Sequence, residues 1–291
     1  MYPDQAATRR LPVVRVQAGR RSAADDHAAV EEPLQVVVNG EAFAVVMRTP
    51  GSDAELTAGF LFAERVLRSP DEIVRIRVGD GHLGDGRATD NHVGDDRLSG
   101  DRHNVAEVET VADVRQRLAA SSRRVTTSAS CGLCGRQTID SLKVEAPRVD
   151  GKWTLAPHIV DSLPGRLRSG QPAFAASGGL HAAGLFNTIG ELTLVAEDVG
   201  RHNAVDKVVG RALLDKALPL SSSMLLVSGR ASYEIVQKAF LAGIPMVAAV
   251  SAPSTLAVEL AEEAGITLVG FVRDGRFNIY THPNRISGSQ T

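Results

Sequence analysis

Apolar positions recur along this chain with two different periods, and the switch between them predicts its elements. The runs 34–38 and 42–47 flank Asn39-Gly40. Asn-Gly supplies the positive φ of a type I′ turn, so a β-hairpin is predicted there. Residues 49–53 (Thr-Pro-Gly-Ser-Asp) read as a turn and helix N-cap, and Leu56, Phe60, Ala63, Val66 and Leu67 follow at helical spacing over 55–67. Strands are predicted at 73–78 and 105–111, with a short helix at 112–120. Ile159, Leu163 and Leu167 predict a helix over 156–167, which Pro164-Gly165 should bend or break. From Glu191 the alternation becomes regular. Strands at 192–196, 224–227 and 246–250 alternate with helices at 201–216, 232–242 and 256–264, and 267–272 with 277–280 close a hairpin around Asp274-Gly275. Short apolar strands separated by helices point to βαβ units, hence an α/β class with a mostly parallel sheet covered by helices on both faces.

Some stretches lack this texture. Residues 1–30 are rich in Ala, Asp and Arg and predict a mobile tail, with at most an edge strand at 12–16. Residues 79–103 hold almost no large apolar groups, and their carboxylates lack calcium-loop spacing with a closing Glu, so a disordered insertion is predicted. The expected organisation is therefore a tail (1–30), a smaller α+β domain (31–125), an α/β core domain (126–286) and a short tail (287–291).

Composition narrows the function classes. With 43% hydrophobic and 23% charged residues among 291, and a net charge of −2, the chain has ordinary globular proportions. It shows no basic footprint for nucleic acid or a membrane surface. No apolar run approaches the ~18–20 residues of a membrane helix, and no secretory h-region is present, so a cytoplasmic protein is expected.

Candidate chemistry centres on Ser128-Ala-Ser-Cys-Gly-Leu-Cys-Gly-Arg136, which carries the two cysteines of the sequence, Cys131 and Cys134. Flanking glycines and Ser/Thr residues read as a loop that presents two thiols. Four readings compete: a persulfide carrier, a thioredoxin-like dithiol, half of a zinc site, and two inert cysteines in a turn. A helix start, which the thioredoxin reading needs, is disfavoured by Gly132 and Gly135. A zinc deaminase needs His-x-Glu before Pro-Cys-x-x-Cys. Here His181 is followed by Ala182-Ala183, the cysteines precede the histidine, and Ser130 stands where proline is required. No metal site is expected.

Three strand-to-helix junctions carry ligand-binding residue types: 197–203 with Arg201 and His202, 228–232 with Ser228, Gly229 and Arg230, and 251–255. In an open α/β sheet such junctions surround a crevice at the strand ends, and Ser, Gly and Arg there suit a phosphate-bearing ligand such as a nucleotide. Taken singly, Ser232 and Ser254 are as well read as plain N-caps. His181, among glycines, is a further candidate. Neither a Walker A nor a dinucleotide fingerprint occurs.

The Cys-Gly-Leu-Cys-Gly loop, Glu197-Asp-Val-Gly-Arg-His-Asn-Ala-Val-Asp-Lys207 and Gly270-Phe-Val-Arg-Asp-Gly-Arg-Phe-Asn-Ile-Tyr280 together resemble the formate dehydrogenase accessory sulfurtransferase family, FdhD. Met47-Arg-Thr-Pro-Gly51, Gly59-Phe-Leu-Phe62, Ser177-Gly-Gly-Leu-His181 and Ser228-Gly-Arg230 add to the likeness, which runs from about residue 32 to 286. The resemblance implies a cytidine-deaminase-like core and a homodimer. It implies sulfur taken from a cysteine desulfurase as a persulfide on Cys131, and delivery to the molybdenum cofactor, bis-molybdopterin guanine dinucleotide, for the formate dehydrogenase catalytic subunit. Phe271, Val272, Arg273, Asp274, Gly275 and Arg276 align with the family's cofactor-binding stretch, although Asp274-Gly275 also reads as a plain hairpin turn. Two alternatives stay open: a chaperone that binds the cofactor without carrying sulfur, and a zinc-dependent deaminase-like enzyme.

Overall fold

The structure is a computed structural model that describes residues 7–79, 104–111, 114 and 146–288. The predicted insertion (but for Gly79), the cysteine loop and nearly all of the 112–120 helix lie outside the described residues, as do positions 1–6 and 289–291.

The chain begins with a hairpin, β1 (Thr8–Gln17) and β2 (Arg20–Ala29), paired from Thr8↔Ala29 to Gln17↔Arg20. The mobile tail expected for 1–30 is thus corrected over residues 8–29. Ala- and Asp-rich β2 has low strand propensity, so only the partner strand reveals it. Next come β3 (Glu32–Val38) and β4 (Glu41–Arg48), joined as predicted through Asn39 (φ 51°) and Gly40 (φ 81°). Helix α1 (Asp53–Ala63), β5 (Ile73–Val78) and β6 (Val105–Thr110) complete a four-stranded sheet of order β4-β3-β6-β5 with one helix against it. Val36, Val38, Phe43, Leu61, Val66, Leu67 and Val108 form its core.

The larger unit contains α2 (Pro157–Ser169), α3 (Pro172–Ser177), β7 (His181–Asn187), β8 (Leu192–Asp198), α4 (Arg201–Leu214), β9 (Ser223–Val227), α5 (Tyr233–Leu241), β10 (Met246–Ala249), α6 (Thr255–Ala264), β11 (Thr267–Arg273) and β12 (Arg276–Ile279). Its six-stranded sheet has the order β12-β11-β10-β9-β7-β8. Two neighbouring pairs are parallel, β9–β10 and β10–β11, and three are antiparallel. The sheet is therefore mixed, which corrects the mostly parallel expectation. Strand β7 went unpredicted at sequence level; inserted between β8 and β9, it reverses both of its pairings.

Alternation along the strands divides the core. Met224, Leu226, Met246 and Ala248 face α2, while Leu225, Val227, Val247 and Ala249 face α4, α5 and α6. Helix α2 runs unbroken through Pro164 rather than ending there. Helix α1 lies directly on α4: a Cβ on Gly59 would sit 1.9 Å from the Asp206 carbonyl oxygen, and one on Gly210 1.9 Å from that of Glu55. Only glycine permits so close a crossing, and it fixes the smaller unit against the larger. Among the described residues no helix is long and apolar enough to cross a membrane.

Candidate functional site

Strands β8, β9, β10 and β11 run in one direction and β7 in the other. One edge of the sheet therefore collects the C-terminal ends of four strands and the first residue of β7. His181 opens β7 opposite Asp198, the last residue of β8. The Ser228 hydroxyl, just past β9, accepts the Ala182 N–H at 2.9 Å, and the Ser228 N–H donates to the Ala182 carbonyl at 2.9 Å. Gly229 follows; a Cβ placed on it would lie 3.5 Å from His181 Nδ1 and 3.6 Å from Arg201 Cδ. The Ser251 N–H reaches the Gly229 carbonyl at 3.3 Å, and the Phe271 N–H reaches the Ser251 carbonyl at 3.1 Å. All three predicted junctions meet in one line at this edge, together with His181 and the first residues of the 271–276 segment.

Within that segment, Arg273 lies 5.6 Å over the Phe271 ring, and Asp274 (φ 56°) and Gly275 (φ 70°) make the tight turn expected. Val272 departs from the prediction. It is fully buried in the core facing α2, as strand alternation requires of a residue next to Phe271. Arg230 is exposed at the rim.

Burial lowers the pKa of His181 below its ordinary 6.5, the Arg201 charge lowers it further, and Asp198 opposes. Burial and the Arg201 charge both favour the neutral ring. Arg201 Nε is buried and makes no hydrogen bond among the described residues.

Beneath the edge, Asp198 is fully buried and holds the two units together. It pairs with Lys207 at 2.7 Å and accepts from the Thr49, Gly200 and Asn203 nitrogens at 2.8–3.1 Å. Lys207 also donates to the carbonyl of Thr49 at 2.9 Å. His202, expected either at the ligand or on the surface, is instead 5% exposed, with Nε2 3.1 Å from Ser232 Oγ and Nδ1 3.5 Å from Glu234 Oε2. Lys238 bridges Glu234 (3.2 Å) to Asp206 (2.6 and 2.8 Å). Burial pushes the Asp206 carboxyl up to about 7 against the pull of Lys238. Burial alone would lower Lys238, but Asp206 and Glu234 outweigh it and raise its pKa. Sequence reasoning missed Glu234, Lys238, Asp206 and the Asp198–Lys207 pair as parts of a site. The available signal was charge placed inside apolar helical runs, at Asp206-Lys207 and at the four-residue spacing of Glu234 and Lys238.

Cys131 and Cys134 lie outside the described residues, so their relation to this edge is not part of the geometry. A separate concavity of about 810 Å³ near α6 contains none of the predicted site residues, and Glu259, Glu262 and Glu263 make its lining unsuited to phosphate.

A mixed sheet covered by helices, with Ser, Gly, Arg and His gathered at its strand ends, defines the class of α/β proteins. Within that class the chain belongs to the FdhD/NarQ family, whose profile matches residues 29–287. It is 46% identical over 288 residues to the sulfur carrier protein FdhD of Streptomyces avermitilis, with 96% of each chain covered. It is 43% identical over 281 residues to the sulfur carrier protein FdhD of Sulfolobus acidocaldarius, covering 96% of this chain and 98% of that one. A crystal structure of a proposed formate dehydrogenase accessory protein from Desulfotalea psychrophila superposes with a TM-score of 0.73 at 26% identity, over 97% of this chain and all of the other.

Proposed function

We propose that this chain is a sulfur carrier for the maturation of formate dehydrogenase, with Cys131 as the carrying residue. The observation that carries the reading is 46% identity across 96% of the chain to a relative named as a sulfur carrier. The Cys131 thiolate attacks the outer sulfur of a cysteine desulfurase persulfide; the donor cysteine departs as thiolate and the sulfur stays on Cys131. The Cys134 thiolate then attacks Cys131 Sγ. The pair closes to a disulfide, whose formation supplies the two electrons that let the outer sulfur leave as hydrosulfide, and a cellular dithiol reopens it. The expected acceptor is bis-molybdopterin guanine dinucleotide, written here as substrate, bound for the formate dehydrogenase catalytic subunit. The protein works in the cytoplasm as a homodimer, and the mixed sheet with helices on both faces is compatible with a cytidine-deaminase-like core.

The strand-end residues fit such a substrate by their chemistry. Among the described residues the buried Arg201 Nε has no hydrogen bond, Arg230 stands at the rim, and Gly229 lies beside His181 and Arg201. Arginine forks match phosphate oxygens two at a time. Calorimetry with guanosine diphosphate tests this: Arg230→Ala should weaken binding about tenfold, the scale of one charge-assisted contact, while persulfide still forms on Cys131. Unchanged affinity would remove the strand-end edge from the reading.

A further inference from the structure

Strands β1 and β2 form a sheet of their own, with no third strand among the described residues. Nearly all of this hairpin precedes residue 29, where the family profile begins. A two-stranded hairpin is marginally stable in water, and an open strand edge is a template for another strand. Helix α3 touches the hairpin, yet Arg20 to Ala23 and Asp25 to Ala28 are exposed.

The two edges of the hairpin differ. The Val30 N–H donates to the Ala7 carbonyl at 2.9 Å, in register with the β1–β2 ladder. Hydrogen-bonded and non-hydrogen-bonded pairs alternate along an antiparallel ladder. Odd-numbered β1 residues therefore bond across to β2. Pro12 on β1, and Arg21, Ala23 and Asp25 on β2, turn their backbone groups outward. Pro12 has no N–H to offer, so it blunts the β1 edge. The β2 edge contains no proline and offers a donor and an acceptor at each of its three outward residues.

We infer that the β2 edge pairs with the β2 edge of a second copy of this chain, antiparallel about a twofold axis at Ala23. The inference rests on the homodimer reading and gives that dimer an interface. With Ala23 opposite itself, Arg21 faces the partner's Asp25 and Arg20 faces the partner's Asp26, and symmetry repeats each contact. The pairs at 21, 23 and 25 each exchange two N–H···O bonds. Ser22 and Ala24 stand between them with small side chains. Other registers lose this match. Centring on Ser22 or Ala24 sets Asp25 against Gly19 or Ala23, and centring on Arg21 or Asp25 sets like charges face to face, which is unfavourable. Charge therefore selects one register, and the occupant that it fits is the chain itself. Arg10 already pairs with Asp25 inside the hairpin, so in the dimer that carboxylate lies between two guanidinium groups.

Sedimentation velocity of the full chain across a concentration series tests this. The charge swap is made at Arg20 and Asp26, which leaves the Arg10–Asp25 pair intact. Arg20→Asp sets two pairs of like charges face to face and should weaken the dimer about tenfold, as should Asp26→Arg. The chain carrying both substitutions should return to within about threefold of the original affinity, because the facing charges are again opposite. A second variant serves if a charge change frays the hairpin. Ala23→Cys, combined with Cys131→Ser and Cys134→Ser, should give a covalent dimer on mild oxidation. The Cα atoms of a hydrogen-bonded pair stand about 5.5 Å apart, within reach of a disulfide. A dimer that neither single charge variant weakens, a swap that does not recover, or no cross-link in Ala23→Cys would overturn the inference and leave the homodimer reading in place. An unsubstituted chain that stays monomeric at every concentration would remove both.

Discussion

Among single residues, His181 gives the sharpest electrostatic consequence. Burial and Arg201 together depress its pKa below 6.5. A depressed base binds fewer protons folded than unfolded, so its contribution to stability is complete above pH 6.5 and lost as pH falls through the folded value. Replacing Arg201 with Ala should raise the His181 pKa, read as a displaced midpoint in an NMR titration of its ring. A midpoint that moved down or stayed fixed would place the Arg201 charge elsewhere. At this scale the sequence was informative where chemistry is local. Arg201, Ser228 and Gly229 were singled out by residue type at a junction and His181 by its place among glycines, and the fold brings them to one edge of the sheet. It was silent where partners are remote: nothing near Asp198 in sequence announces Thr49 or Lys207, and the Val272 side chain faces the core through strand alternation alone.

Among elements, legibility followed periodicity. The β3–β4 hairpin, α4, α5, α6 and the β11–β12 turn appear close to where apolar spacing and Asn-Gly or Asp-Gly placed them. Strand β7 did not, because Ala182-Ala183-Gly184 offers small side chains with no alternation, and its strand character comes from lying between β8 and β9. Helix α2 outlasted Pro164 because Val160, Leu163 and Leu167 are buried together against the sheet, and that burial outweighs one lost backbone hydrogen bond. The α1–α4 crossing was also invisible, since Gly59 and Gly210 look like helix weaknesses in isolation. Gly59→Ala should cost about 3 kcal/mol, the upper range for overpacking, because the methyl meets backbone and not a movable side chain. Urea unfolding measures this; a loss below about 0.5 kcal/mol, within the range of an ordinary surface substitution, would mean that the helices separate freely.

For the whole molecule, the two sheets are less independent than the sequence suggests. The expected boundary near residue 125 separates two patterns, but α1 packs on α4 and the buried Lys207–Asp198 pair binds the carbonyl and amide of Thr49. The loop after β4 therefore forms part of the wall beneath the strand-end edge. Lys207→Met leaves Asp198 as an unpaired buried carboxylate and should cost about 3–5 kcal/mol. The loss should appear in one transition followed both by circular dichroism and by the fluorescence of Trp153. Two separated transitions would show that the units fold apart.

The central claim, sulfur carriage on Cys131, is tested most directly by mass spectrometry after incubation with a cysteine desulfurase and cysteine. The account predicts one added sulfur on the peptide that contains Cys131, removed by reductant and absent in Cys131→Ala. No added sulfur on that peptide, with guanosine diphosphate binding intact, would contradict it and leave a protein that binds the cofactor without carrying sulfur.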